Sequence, residues 1–314
     1  MRMLCFLLSV FSFNSFAQGF PSGPIEMTVL FPAGSSADVT ARLLADGMSQ
    51  HLGQRVLVVN RPGAGGAIGY KYVAAQKADG YSLVWNSNSI STSYHSGQLA
   101  FDYKAFDAVA RVLSESVVVA VRTDAKFANL GELLGEAKRN PRKLSVGHSG
   151  IGSHTHISLA ALVSAAGVQV TEVPFGAAQV VPSLLGGHVD AVVQFPGALA
   201  APLAQKQVKL LATLTQARDP AFPNVPTARE QGFDAALDAW RGVAVPHGTP
   251  PEVIRKLEEA IRMTAESPEF AAQCRKLGVR PAFLPAAQFS ELISQEDAAL
   301  SRLMQQIGLK KSPQ

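Results

Sequence analysis

Lys143-Leu144-Ser145-Val146-Gly147-His148-Ser149-Gly150-Ile151-Gly152-Ser153-His154-Thr155-His156 carries an apolar strand into a helix through a loop of glycines, serines and histidines. The strand reads from Lys143 to Gly147, and Thr155–Ala166 has a helical pattern. This order leaves backbone N–H groups at a helix N-terminus, where an anion can sit. Three uses of the loop compete: nucleophilic chemistry, metal binding and holding a ligand.

The same unit recurs along the chain. Strands are expected at Glu26–Phe31, Arg55–Asn60, Tyr81–Asn86, Ser116–Val121, Lys143–Gly147, Gln169–Val173, Val189–Gln194, Val208–Thr213 and Arg241–Val245. Helices are expected at Ser36–His51, Gly66–Gln76, Leu130–Arg139, Thr155–Ala166 and Gln179–Leu185. The alternation predicts an α/β fold with largely parallel sheets. So many strands exceed one small open sheet, and two domains follow. Pro250–Arg275 and Ala286–Ile307 read as two long helices. In the second, Phe289, Leu292, Ile293, Leu300, Leu303, Met304 and Ile307 form an apolar stripe for packing.

The N-terminus has one positive charge at Arg2, an apolar run from Leu4 to Val10 and a Ser15-Phe16-Ala17 site. That pattern is a secretory signal peptide, cleaved after Ala17. Cys5 leaves with it, so Cys274 is the only mature thiol and no internal disulfide can form. A chain of 314 residues buries enough surface without one. The expected location is the periplasm, free of the membrane. Loss of Arg2 takes the formal charge from +4 to +3. The basic residues are scattered, without a stripe interleaved with aromatics, so nucleic acid is not an expected partner.

Three loops could carry chemistry. Pro32-Ala33-Gly34-Ser35-Ser36-Ala37-Asp38 joins the first strand to the first helix. Ser35-x-x-Asp38 reads as a capping box. The free N–H groups and serine hydroxyls there could also meet a ligand carboxylate. Asn60-Arg61-Pro62-Gly63-Ala64-Gly65-Gly66-Ala67-Ile68-Gly69 invites a dinucleotide reading, but its spacing is G-x-G-x-x-x-G rather than G-x-G-x-x-G. A strand-to-helix turn explains it instead, and no cofactor is expected. In the opening loop, Gly147-His148-Ser149-Gly150-Ile151 approaches the G-x-S-x-G elbow of hydrolases but ends on Ile151. Asp190 and His247 follow in the Ser, Asp, His order. His148, His154 and His156 have poor zinc spacing unless carboxylates converge from elsewhere, so no metal is expected.

Taken together, these segments resemble the extracytoplasmic solute receptors of tripartite tricarboxylate transporters, the TctC-like Bug receptors. The resemblance is carried by Val29–Asp38, Asn60–Gly69, Asp79–Leu83, Ser149–His156, Leu184–Asp190, Pro223–Thr227 and Trp240–Pro251, in order across nearly the whole mature chain. It implies a periplasmic binding protein fold of type II-like architecture: two Rossmann-like α/β domains, a ligand cleft between them, and hinge strands near Val119–Arg122 and Trp240–Val243. Domain 1 would comprise residues 18–120 and 241–314, and domain 2 residues 121–240. The family holds a small carboxylate between loops that here are Pro32–Asp38 and Ser149–His156.

Some positions depart from the family pattern. Pro174-Phe175-Gly176-Ala177 replaces a Pro-Tyr-Lys-Gly turn and is one residue shorter. Ser93-Tyr94-His95-Ser96-Gly97 replaces Asn-Pro-x-Leu-Tyr. Gln194 stands where an Asp is common, and Arg241 follows Trp240. Arg241 could pair a second carboxylate or form a surface or interdomain ion pair.

The expected function is capture of a small carboxylate (a di- or tricarboxylate, an aromatic acid or similar) for uptake or sensing, without catalysis. The expected ligand-binding residues are Pro32, Ala33, Gly34, Ser35, Ser36 and Asp38, then Asn86 and Ser87 at the end of the third strand. Ser149, Gly150, Gly152, Ser153 and His156 of the second loop join them, with Gln194 and Arg241. A monomer is expected, with membrane transport subunits or a sensor as protein partners. The alternative is a secreted serine hydrolase with Ser149 as nucleophile.

Overall fold

The computed structural model describes residues 19–311; the expected signal peptide lies outside the described residues. The chain begins with β1 (Ile25–Val29), α1 (Ser36–Leu52), β2 (Val56–Asn60), α2 (Ala67–Ala74), β3 (Ser82–Ser87), α3 (Ser89–His95) and β4 (Phe106–Glu115). It continues through β5 (Val118–Arg122), α4 (Leu130–Arg139), β6 (Ser145–His148), α5 (His154–Ala166), β7 (Thr171–Pro174), α6 (Val180–Leu185), β8 (Ala191–Gln194), α7 (Pro196–Ala204) and β9 (Val208–Thr213). It ends with β10 (Ala239–Pro246), α8 (Pro251–Ala265), α9 (Pro268–Leu277), β11 (Arg280–Pro285) and α10 (Ala286–Gln306).

Two sheets result, in the orders β11-β4-β10-β3-β1-β2 and β7-β6-β8-β5-β9. The expectation of largely parallel sheets needs correction. β1 pairs in parallel with β2 and β3, and β6 with β7 and β8. The remaining pairs are antiparallel: β10 with β3 and β4, β11 with β4, and β5 with β8 and β9. The cause is connectivity. Helical crossovers make parallel neighbours, whereas β4 carries the chain out of the first sheet and β10 brings it back. Lying side by side, they must run in opposite directions. The outward crossing falls at Ser116 and Val117, upstream of the hinge expected at Val119–Arg122.

Each sheet has a core on both faces, because successive strand side chains point to opposite sides. Leu83 and Trp85 of β3 enter the core under α1 and α8, while Val84 between them enters the core with Tyr70 and Val73 of α2. In the second sheet Val119 and Val121 pack toward α4 and α5, and Val118 and Ala120 toward α6 and α7. On α1, Ala37, Ala41, Leu44, Ala45 and Met48 recur at helical spacing and are all buried.

The long helix expected at Pro250–Arg275 is two. Pro268 has no N–H to continue α8, and Ser267 caps α9 instead, its hydroxyl accepting from the Phe270 N–H at 3.1 Å. Strands β4 and β11 and helices α3 and α7 were not expected. In β4, charged Asp107, Arg111 and Glu115 interrupt the apolar pattern. In β11, Pro281 and Pro285 weaken the strand signal, and the strand lies at the sheet edge, where proline is tolerated.

Gly242 lies where β10 crosses β4 beside an irregularity in their register. A Cβ there would stand 2.5 Å from the Ala110 carbonyl oxygen and 2.5 Å from the Phe289 ring. Gly242→Ala should therefore lower stability by about 1–3 kcal/mol, read as a lower urea midpoint with an unchanged slope. An unaltered midpoint would contradict this packing.

Candidate functional site

Two loops build the site in the same way. Ser35 caps α1, its hydroxyl accepting from the Asp38 N–H at 3.3 Å. Ser153 caps α5, its hydroxyl accepting from the His156 N–H at 3.3 Å. Each cap serves the third N–H of its helix. The first two, on Ser36 and Ala37 and on His154 and Thr155, have no protein partner among the described residues. All four residues are buried and line one cavity between the two domains. Each helix end contributes roughly half a positive charge there.

The second loop is docked on the first domain. The Thr92 hydroxyl of α3 donates to the Gly152 carbonyl at 2.6 Å, and Gln98 Nε2 donates to the Ile151 carbonyl at 2.9 Å. The glycine-rich turn after β2 packs underneath. A Cβ on Gly65, whose φ is +64°, would meet the Ile151 oxygen at 2.9 Å. Close approach to the second loop thus accounts for this glycine.

Of the expected site residues, Ser35, Ser36, Ser87, Ser149, Ser153, Gln194 and Arg241 come together around the cavity. Ser149 and Gln194 hold each other, with Gln194 Nε2 donating to the Ser149 hydroxyl at 3.1 Å. Arg241 is paired with Glu115, which also accepts from the Ser36 hydroxyl. The guanidinium lies 5.0 Å from the centre of the Phe195 ring. Arg241 was foreseen on a second carboxylate or in a surface or interdomain ion pair; the structure shows instead a buried pair within the first sheet.

The other expected residues lie elsewhere. Ala33 and Gly34 are exposed, while Pro32 and Gly150 border a separate, more open depression. Asp38 is consumed by its own loop. It accepts from the Gly34 N–H at 3.0 Å and from Asn60 Nδ2 at 2.9 Å, and pairs with Arg42 at 2.9 Å. Burial opposes its ionisation, but these bonds prevail and hold its pKa below the usual value. The capping box is also displaced by one residue, since the carboxylate reaches Gly34 rather than Ser35. Asn86 accepts from the Tyr70 hydroxyl at 2.7 Å, away from the cavity. Gly152 serves the docking contact, and its N–H donates to His156 Nδ1 at 3.1 Å.

Sequence reasoning missed Glu115, Asn88, His154 and Thr155 as site residues. Glu115 ends a strand that was itself missed. His154 was weighed, with His148 and His156, as a metal ligand and as a loop hydrogen-bonding residue, one of the three reaching a ligand. Its Nε2 lies 3.2 Å from the Leu237 carbonyl, and its Nδ1 is buried without a partner. Desolvation lowers its pKa to about 4, so the ring is neutral at pH 7.

The hydrolase alternative does not survive. Asp190 is bonded to Ser145 at 2.8 Å, and exposed His247 to Asp107 at 2.8 Å; neither approaches Ser149. A carboxylate does converge on the histidines: His148, His156 and Glu172 offer ligand atoms within 4.8 Å of one another. Both nitrogens of His156 are engaged, however, Nδ1 by Gly152 and Nε2 by Glu172 at 3.3 Å. A metal would have to displace those contacts. Among the described residues no helix is long and apolar enough to cross a membrane.

The model of the tripartite tricarboxylate transporter family receptor matches residues 40–309. Protein BugT of Bordetella pertussis is 31% identical over 304 residues, covering 94% of this chain and 92% of its own. An R. palustris protein solved with adipate superposes with a TM-score of 0.88 at 26% identity, covering 92% of this chain and 98% of its own. MatC from Rhodopseudomonas palustris, solved with bound malate, gives 0.84 at 26% identity, covering 90% and 99%. By its sequence, its two-domain α/β fold and its interdomain cavity, this chain belongs to the tripartite tricarboxylate transporter receptor family.

Proposed function

We propose that this chain is a periplasmic receptor that captures a small carboxylate between its domains and carries out no catalysis. One observation carries this reading: four partnerless amide N–H groups, two from each domain, border a single buried cavity. Buried donors of this kind call for an acceptor, and a carboxylate supplies a charged one. Two relatives were solved with carboxylates, adipate and malate. Among the described residues only two chain crossings, after β4 and before β10, join the domains. Closure about these crossings buries the ligand and presents the closed form to membrane transport subunits or a sensor. The leader at residues 1–17 supports export to the periplasm, and the receptor acts as a monomer.

Micromolar affinity corresponds to about −8 kcal/mol, within reach of several charge-assisted hydrogen bonds. A carboxylate at about a hundred times its dissociation constant should add about 2.7 kcal/mol of stability. A thermal-shift series across mono-, di- and tricarboxylates tests this, and no shift with any carboxylate would sink the reading.

The amide donors can be removed singly. Ser36 is the first residue of α1, where proline is favoured, and Ser35 before it is already extended. Ser36→Pro should keep the helix but weaken carboxylate binding by about tenfold more than Ser36→Ala, roughly one charged hydrogen bond. Equal affinities in calorimetry would show that the amide is not used. Ser153→Ala should also weaken binding, through a poorly capped α5; unchanged affinity would count against the second loop.

A further inference from the structure

We infer that the ligand is an acid with one carboxylate and an apolar body bearing a hydroxyl or N–H donor, and that His154 accepts from that donor. The inference rests on the carboxylate reading above and narrows it.

The charge count comes first. Among the described residues Arg241 is the only Lys, Arg, Asp or Glu on the cavity wall, and Glu115 pairs with it. Both side chains are almost completely buried, at 3% and 0% exposure. What remains is the pair of helix N-termini, each worth roughly half a positive charge. Together they balance one carboxylate. A second would enter a buried site with no spare cation, at a large desolvation cost. Alongside the neutral hydroxyls and amides of Ser87, Asn88, Ser89, Ser149 and Gln194, the wall presents an apolar surface of Phe31, Ala177, Phe195, Ala239 and Trp240. That surface suits a hydrocarbon body.

His154 supplies the second constraint. The Leu237 carbonyl can only accept, so the hydrogen on the neutral ring belongs to Nε2. Nδ1 is then a bare acceptor, buried and without a partner, on a residue that lines the cavity. Buried acceptors in native proteins are normally satisfied. The neighbouring cavity hydroxyls do not do so: Ser153 and Thr155 lie 3.1 Å from each other, and neither bonds to Nδ1. A donor on the ligand would complete it. An acid lacking that donor leaves Nδ1 unpaired, which is how a hydrogen-bonding site rejects an analogue.

Calorimetry on the full chain with two matched series tests this: hexanoate, 6-hydroxyhexanoate and adipate; and benzoate, the three hydroxybenzoates and terephthalate. In whichever series binds, the hydroxy acid (for the ring, at least one isomer) should bind about tenfold tighter than the plain acid, and the diacid weakest. His154→Leu should erase the hydroxyl advantage, bringing the ratio of hydroxy-acid to plain-acid affinity from about ten to about one. If that variant does not fold, the wild-type ranking still decides. A diacid binding tightest, or no hydroxyl advantage, overturns the inference while leaving the carboxylate reading intact. Silence from every acid in both series overturns the inference, and the carboxylate reading falls with it only if the wider thermal-shift series is silent too.

Discussion

An α-helix cannot satisfy its own first N–H groups, and in this protein two helices begin in places that water is largely denied. Serine caps at Ser35 and Ser153 answer one N–H each. The next-door amides of Ser36, Ala37, His154 and Thr155 are left facing a shared cavity. Much of the surrounding structure serves to hold those two helix ends opposite each other. β1 and β6 aim the loops, Asp38 ties the first loop to Gly34, Asn60 and Arg42, and Thr92 and Gln98 dock the second loop on the first domain. Neither loop forms a site alone, so the functional unit is the pair.

The Glu115–Arg241 pair links this geometry to the crossing strands. Glu115 ends β4, where the chain leaves the first domain, and Arg241 lies on β10, where it returns. Ser36, at the start of α1, donates to the same carboxylate. One buried cluster therefore joins both crossing strands to a ligand loop. Removing one partner of such a pair is costly, commonly 3–5 kcal/mol, because a charge is left buried alone. The pair also neutralises the one cation of the wall, so recognition falls to helix ends, hydroxyls and the ring of His154.

Strand–loop–helix units were legible because their signals are local. The apolar run to Gly147, the loop glycines and the caps Ser35 and Ser153 can all be read within a few residues. Strands β4 and β11 were not legible, since their pairing depends on partners far along the chain: Glu115 sits opposite Ala239, and Arg280 opposite Ser114. The same distance hid Glu115 as the partner of Arg241. Asp38 and Asn86 looked like ligand contacts by position, but folding gave them nearer partners in Gly34, Asn60, Arg42 and Tyr70. The orphan nitrogen of His154 could be found only once Leu237 was placed against the other side of its ring.

The most direct measurement is a nitrogen–proton correlation NMR titration of the protein with a small carboxylate that stabilises it. The amide signals of Ser36, Ala37, His154 and Thr155 should shift together and saturate at one dissociation constant, because one carboxylate draws on both helix ends. Shifts confined to one loop, or absent from all four amides, would contradict capture between the domains.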